Sequence, residues 1–164
     1  MKKVLWIAAF AFVSFGVQGQ EGFKLGVYTQ LPIGDAGDIT SFGLGLDAAY
    51  MFEVSDSFDA GIATGFINTF VKKELTDLGA DSAVQFIPIA AAGRFSASEE
   101  FVIGADLGYA LGINDGNDGG FYYRPLVGYN ISEKTQLNVS YTGVSIKDAD
   151  SSFSTINLGV LFSL

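Results

Sequence analysis

The residues able to do chemistry in this 164-residue chain are carboxylates, hydroxyls and a few bases. Histidine and cysteine are both absent, so the sequence lacks the side chains for Ser-His and Cys-His catalysis, for His- or Cys-ligated zinc and for disulfide bonds. The 18 acidic residues outnumber the 9 basic ones, and the net charge of −9 has the wrong sign for binding a phosphate backbone. We therefore expect a protein that is not an enzyme, uses no cofactor and binds no nucleic acid.

One segment has the spacing of a nucleotide-binding motif. Gly43, Gly45 and Ala48 match the pattern G-x-G-x-x-A, but the surrounding residues alternate as in a strand and no helix follows. Because that motif binds a pyrophosphate at a helix N-terminus, the match predicts no nucleotide site. The acidic segments 114–120 and 148–152 carry oxygen ligands of the kind that Ca²⁺ prefers. Their spacing is incomplete and turn residues explain them equally well, so we predict no metal site.

Six charged residues form the candidate functional set, because each lies on the less apolar face of a segment whose other face is uncharged. They are Lys24, Asp47, Asp59, Arg94, Asp106 and Arg124. Pairing of neighbouring segments across the connections near residues 116 and 76–77 predicts Asp106 opposite or next to Arg124 and Asp59 opposite Arg94. Paired charges in a confined interior cost less than unpaired ones, so we expect these residues to pair.

The elements that would position this set are strands. Residues 22–164 alternate with a period of two, and no stretch has the 3.6-residue period of an amphipathic helix. The pattern predicts eight strands joined by alternating long and short connections. The long connections are at about 33–40, 70–82, 112–120 and 145–152, and the short ones at 54–57, 96–100 and 132–134. This arrangement is typical of an antiparallel, up-and-down transmembrane β-barrel, an all-β fold.

The two faces of these strands differ in a way that predicts a membrane. The eight apolar faces carry no Asp, Glu, Lys or Arg, and aromatic residues gather near the strand ends. Such faces suit lipid, because an Arg or Lys at mid-depth costs about 2–4 kcal/mol. A secreted soluble barrel with its apolar face turned inward around a hydrophobic ligand is the alternative. Pro88 and Pro125 cannot donate to a strand ladder and predict a bulge or local break in the fourth and sixth strands.

The N-terminus has the anatomy of a secretory signal peptide. Lys2 and Lys3 precede an apolar run from Val4 to Val17, and Gly19 offers a small residue at the cleavage position. We predict a signal peptide at residues 1–19 and a barrel domain at residues 20–164.

Over residues 22–164 the chain resembles the small eight-stranded outer-membrane barrels, the group that includes the OmpA transmembrane domain and OmpX. The resemblance rests on the signal peptide, four hairpins, two belts of aromatic residues and a last strand from Ile156 to Leu164. It implies an integral, monomeric protein of the bacterial outer membrane, in contact with outer-membrane lipid. It also implies recognition of the last strand by the outer-membrane assembly machinery, although that strand usually ends in Phe and here ends in Leu164.

Eight strands enclose a lumen that side chains can fill, so we expect no open diffusion pore. We interpret the six charged residues as a lumen charge network that plugs the barrel, the alternative being a gated ion path or proton relay. The predicted function is a non-enzymatic, structural role in the cell envelope. Two alternatives are an adhesion or binding module, which would act through its exposed loops on an unidentified ligand, and the soluble carrier described above. Outer-membrane barrel enzymes resemble this scaffold but rely on an active-site His, which is absent here.

Overall fold

The computed structural model describes residues 22–146 and 152–164, so the predicted signal peptide and the segment 147–151 lie outside the described residues. Eight antiparallel strands form a closed barrel in chain order, and the last strand pairs with the first. The strands are β1 (Phe23–Ile33), β2 (Thr40–Ser55), β3 (Phe58–Val71), β4 (Ala83–Ser96), β5 (Phe101–Gly112), β6 (Gly120–Ser132), β7 (Thr135–Ile146) and β8 (Ser152–Ser163). The predicted fold class is confirmed.

The two ends of the barrel differ in the length of their connections. The end with short turns, called the turn end, also holds the beginning of β1 and the end of β8. The opposite loop end carries two short helices, α1 (Asp35–Ile39) and α2 (Lys73–Thr76). Strand β8 begins at Ser152, earlier than the apolar alternation from Ile156 predicts, because its first residues, three of them polar, still pair with β7.

No helix within the described residues is long and apolar enough to cross a membrane.

The apolar faces of the strands point outward, as predicted. Leu46 and Leu107, both near the middle of their strands, are each 55% exposed, whereas Tyr28 and Asn157, on the opposite faces, are buried. A soluble carrier of a hydrophobic ligand would need the reverse arrangement. The outward apolar surface therefore contradicts the alternative of a soluble carrier and suits a lipid environment.

Both prolines mark local breaks rather than bulges. The β3–β4 ladder is interrupted at Pro88 and the β6–β7 ladder at Pro125, but the register is the same on either side of each interruption. Proline lacks an N–H and cannot donate to its neighbour, which explains the lost pairs. Thr64 on the outward face donates its hydroxyl to the Pro88 carbonyl at 2.7 Å, so that carbonyl keeps a partner.

Part of the inner face is apolar. From the sequence we predict only small and polar side chains in the lumen, so this apolar part was not predicted. A cluster of buried residues fills the barrel toward the loop end, and α1 adds Ala36 to it. This loop-end apolar cluster consists of Ala36, Ile67, Phe86, Ala90, Ala110, Tyr122, Val144 and Phe153. The rings of Phe86 and Phe153 meet with their centroids 5.3 Å apart. The sequence does contain a signal for this cluster, namely large apolar residues at inward positions near the loop ends of β3, β4, β7 and β8.

We expect Leu107→Arg or Leu46→Arg to destabilise the folded barrel by about 2–4 kcal/mol, because either charge would enter lipid near mid-depth. The measurement is urea unfolding of the protein refolded in lipid vesicles. Leu78→Arg is the matched control, because Leu78 is 84% exposed on a connection at the loop end and should leave stability unchanged. Equal stabilities for Leu107→Arg and wild type would contradict the assignment of that face to lipid.

Candidate functional site in the lumen

The six candidate residues lie on the inner face of the barrel, one on each of the first six strands. Arg94, Asp106 and Arg124 are at most 8% exposed. A cavity of about 20 Å³ near mid-barrel is lined by all of the set except Asp59. Such a volume holds about one water molecule. A second cavity of about 330 Å³ lies at the turn end and is lined by Lys24, Asp59 and Arg94 among others.

Arg124 forms an ion pair that crosses the lumen from β6 to β2. Its Nη1 and Nη2 donate to the two carboxylate oxygens of Asp47 at 2.6 and 2.9 Å. Its Nε donates to the Ser140 hydroxyl at 2.9 Å, and its guanidinium carbon lies 4.7 Å from the centre of the Tyr28 ring. Bidentate pairing with a carboxylate and contact with an aromatic face are strong interactions for a buried guanidinium. The side chain therefore joins strands that are not neighbours in the sheet.

Arg94 forms the second ion pair, with Asp106 on the neighbouring strand β5. Its Nη1 lies 2.7 Å from Asp106 Oδ1 and donates hydrogen bonds to the carbonyls of Gly93 and Ala105, at 2.9 and 3.2 Å. Gly104 stands directly opposite Arg94 in the ladder. A Cβ at Gly104 would lie 2.5 Å from Arg94 Cδ. The glycine thus lets the Arg94 side chain lie across β5 and reach Asp106.

The expected register is confirmed, but the expected ion pairs are wrong. Asp106 lies opposite Arg124 and Asp59 lies opposite Arg94, as predicted. The guanidinium of Arg124 nevertheless binds Asp47, and that of Arg94 binds Asp106. Register places backbones side by side, whereas a long side chain in a narrow barrel can reach diagonally over a glycine or across the lumen. Neither Lys24 nor Asp59 takes part in an ion pair within the described residues.

Sequence reasoning missed a polar network beside Arg124. Asn157 donates to the hydroxyls of Ser140 and Thr142, at 3.2 and 2.9 Å, and accepts a hydrogen bond from Thr155 at 2.8 Å. Asn157 and Thr155 are fully buried. Because Ser140 also accepts from Arg124, this network fixes the position of the guanidinium. Its signal in the sequence was the run of hydroxyl and amide residues at inward positions of β7 and β8.

The loop considered for calcium uses its amides in another way. Asn114 accepts a hydrogen bond from the Gln85 backbone N–H at 2.7 Å and donates to the Ala83 carbonyl at 2.9 Å. Asn117 donates to the Gln85 carbonyl at 3.1 Å. These bonds hold the loop against β4, so the side-chain oxygen of Asn114 already has a partner. Over residues 22–146 and 152–164, no group of acidic side chains has an arrangement that could hold a metal ion.

We expect Asp106→Ala to destabilise the barrel by about 3–5 kcal/mol, because it leaves the buried Arg94 guanidinium without its counter-charge. Adding Arg94→Ala should recover part of this loss, with a coupling of about 1–3 kcal/mol between the two positions. Adding Arg124→Ala instead should give a smaller coupling, because Arg124 binds Asp47. The measurement is a double-mutant cycle by urea unfolding in lipid vesicles. A larger coupling of Asp106 to Arg124 than to Arg94 would contradict the observed pairing.

Comparison with known protein families identifies the family to which this barrel belongs. The family model described as outer membrane protein beta-barrel domain matches residues 6–163. A comparison with curated proteins finds no match.

Several solved structures have a similar fold. Ail, the attachment invasion locus protein of Yersinia pestis, has a TM-score of 0.62 at 14% identity, with 90% of this chain and 100% of that chain covered. The N-terminal β-barrel domain of Pseudomonas aeruginosa OprF has a TM-score of 0.55 at 14% identity, with the same coverage of 90% and 100%. Neisserial surface protein A has a TM-score of 0.52 at 13% identity, again covering 90% and 100%.

At these identities the solved structures show the shared fold, and the family match supplies the identity. The match spans nearly the whole chain, the strands close into a barrel and the outward face is apolar. The protein is therefore an integral β-barrel of the bacterial outer membrane and belongs to the outer membrane protein beta-barrel domain family.

Proposed function

We propose that the protein is a non-enzymatic structural component of the outer membrane whose lumen is closed to ions. The observation that carries this proposal is the filling of the barrel. Around the two ion pairs the free volume is about 20 Å³, and beyond them, toward the loop end, the lumen is occupied by the loop-end apolar cluster. Eight strands leave little interior space, and here side chains use it.

The first barrier is the charged layer formed by Arg124–Asp47 and Arg94–Asp106. Each guanidinium has its counter-charge within 2.7 Å. An ion entering this layer would have to displace one partner of a buried pair, which leaves the other charge uncompensated at a cost of several kcal/mol. This layer supports the interpretation of the charge network as a plug rather than an ion path.

The second barrier is the loop-end apolar cluster, which adds to the charge-only plug that the sequence predicts. Ile67, Phe86 and Val144 have no exposed surface. An apolar constriction excludes ions because it cannot replace their hydration shells. The two layers lie in series along the barrel, so each supports closure independently of the other.

Helix α1 supports closure at the loop end. Ala36 is 2% exposed and packs into the apolar cluster. The Thr40 hydroxyl donates to the Ala36 carbonyl at 2.5 Å, and the Lys72 ammonium donates to the Asp38 carbonyl at 3.1 Å. The first bond fixes the helix to the start of β2 and the second ties the first loop to the base of the second, so the helix is held over the mouth of the barrel.

The remaining parts of the proposal rest on surface and chain properties. Closure of β8 onto β1 leaves no strand edge for a second copy, which supports a monomer. The apolar alternation of β8 supports its recognition by the outer-membrane assembly machinery. The absence of His and Cys, together with engagement of Asp47 and Asp106 by arginines, supports the absence of catalysis.

A second candidate function is adhesion through the loops. Leu78 is 84% exposed at the loop end, and Ile39 and Ile113 on neighbouring connections are 44% and 48% exposed. Apolar side chains presented to water on separate loops could contact a partner surface. Binding of cells carrying the protein to a host or neighbouring surface, lost in Leu78→Ser and retained in the strand-face control Leu107→Ile, would favour adhesion over a purely structural role.

We expect the wild-type protein to show no steady conductance in planar bilayers. Opening one layer in part, by Phe86→Ala with Phe153→Ala or by Asp47→Ala with Arg124→Ala, should leave the barrel closed because the other layer remains. Combining all four changes should produce measurable conductance, because the ion pair that crosses the lumen and the two facing Phe rings are then absent, while Arg94–Asp106 joins only neighbouring strands. Because each Phe→Ala change in a core costs about 3–5 kcal/mol, heat-modifiable gel migration must first show that each variant is folded.

A large, stable conductance of the wild type would contradict closure and favour the ion-path alternative. Conductance in either double variant alone would show that the other layer is not a barrier by itself.

A further inference from the structure

We propose that the cavity at the turn end binds a small dipolar solute that carries both a carboxylate and an ammonium group, such as an amino acid or a short peptide. This turn-end cavity has a volume of about 330 Å³, within the range of small-molecule sites. Its lining comes from strand residues at the turn end and from Glu99, Glu100 and Glu133 on the short turns. The cavity shares Arg94 with the charged layer but lies on its turn-end side, so the proposal does not depend on whether the lumen conducts ions.

Charges of both signs face this one volume without pairing to each other. Lys24 and four carboxylates line it, and none of these five groups forms an ion pair within 4 Å among the described residues. The four acidic residues are Asp59, Glu99, Glu100 and Glu133. Opposite charges in a collapsed interior would close on one another, as those of the middle layer do. Here the space between them is open, which is the arrangement that a ligand with two opposite charges would fill.

Arg94 supplies a buried donor at the floor of the cavity. Its side chain is 9% exposed, and its described side-chain hydrogen bonds are donated by Nη1. Nε and Nη2 donate no hydrogen bond to the protein within the described residues, and neither is among the buried polar atoms that lack a partner, so both face accessible space. A ligand carboxylate is the acceptor that best matches this edge of the guanidinium.

The neighbouring amides are already positioned by the protein. Gln136, which is 8% exposed, donates its side-chain amide to Asn130 at 2.8 Å, and Asn130 in turn donates to the Glu99 carbonyl at 3.0 Å. This chain links the wall of the cavity to the acidic turn. The site therefore has ordered polar walls, and these two amides can report on whether it is occupied.

The distribution of charge selects a dipolar ligand over a simple ion. Arg94, Lys24 and Asp59 lie on strands inside the barrel, two cations to one carboxylate, whereas Glu99, Glu100 and Glu133 are exposed at its mouth. An anion would meet the cations only after passing the acidic mouth, and a cation at the mouth would leave the inner donors unused. A solute that places its carboxylate inward and its ammonium outward satisfies both groups.

The test uses the folded protein in lipid nanodiscs with glycylglycine as the probe, and acetate and ethylammonium as single-charge probes. The readout is the NMR shift of the side-chain amides of Gln136 and Asn130. Glycylglycine should shift both amides saturably in the low millimolar range, while acetate and ethylammonium should bind more weakly. Lys24→Gln should weaken glycylglycine binding about fivefold, the size of one partly exposed ion pair.

Two matched controls separate a site from a general effect of charge. The control for Lys24→Gln is Lys134→Gln, which makes the same change on an exposed turn residue outside the cavity. The control for Glu133→Gln is Glu53→Gln, which makes the same change on an exposed residue of β2 outside the cavity. Both controls should leave binding unchanged. If Lys24→Gln does not fold, as judged by heat-modifiable migration, Glu133→Gln on the exposed turn decides the test.

Three results would overturn the proposal. The first is the absence of any amide shift with glycylglycine at concentrations that leave the barrel folded. The second is acetate or ethylammonium binding as tightly as glycylglycine, which would mean a site for a simple ion. The third is an equal loss of binding in Lys134→Gln and Lys24→Gln, which would mean non-specific electrostatic attraction.

Discussion

The structure depends on the requirement that every backbone N–H and C=O within the bilayer has a partner. Lipid offers no hydrogen bonds, so strands can cross it only as a closed barrel. The pairing of β8 with β1 meets this requirement. Where Pro88 interrupts a ladder, the Thr64 hydroxyl binds the proline carbonyl. Closure with eight strands also makes the interior narrow, and this narrowness governs how the inward side chains are arranged.

Inside the barrel, polar groups must satisfy one another because little water fits between them. Arg124 spans the lumen to Asp47, rests on Tyr28 and binds Ser140, which belongs to the hydroxyl and amide network of β7 and β8. Arg94 reaches Asp106 only because Gly104 leaves room for its side chain. The inner glycine is thus part of the charge network, since it decides which carboxylate a given arginine can reach.

The lumen is filled at the loop end and open at the turn end, and the two ends support different proposals. Toward the loop end, the apolar cluster and Ala36 of α1 fill the barrel. At the turn end, a cavity of about 330 Å³ remains open between charges of both signs. A closed barrel with one open, charged end is compatible with a structural role in the membrane and with binding of a small solute from that side.

The sequence by itself determined the fold class, the orientation of the faces and the strand register, because the period of two is a local property that lipid and lumen impose on every strand. Uncharged outward faces and the positions opposite Asp106 and Asp59 could therefore be predicted. Only the tertiary structure decided the ion partners, the contacts that inward apolar side chains such as Phe86 make across the lumen, and the cavity beside Lys24. These depend on how far a side chain reaches across a curved, closed wall, and that distance is not encoded in the spacing of residues along any one strand.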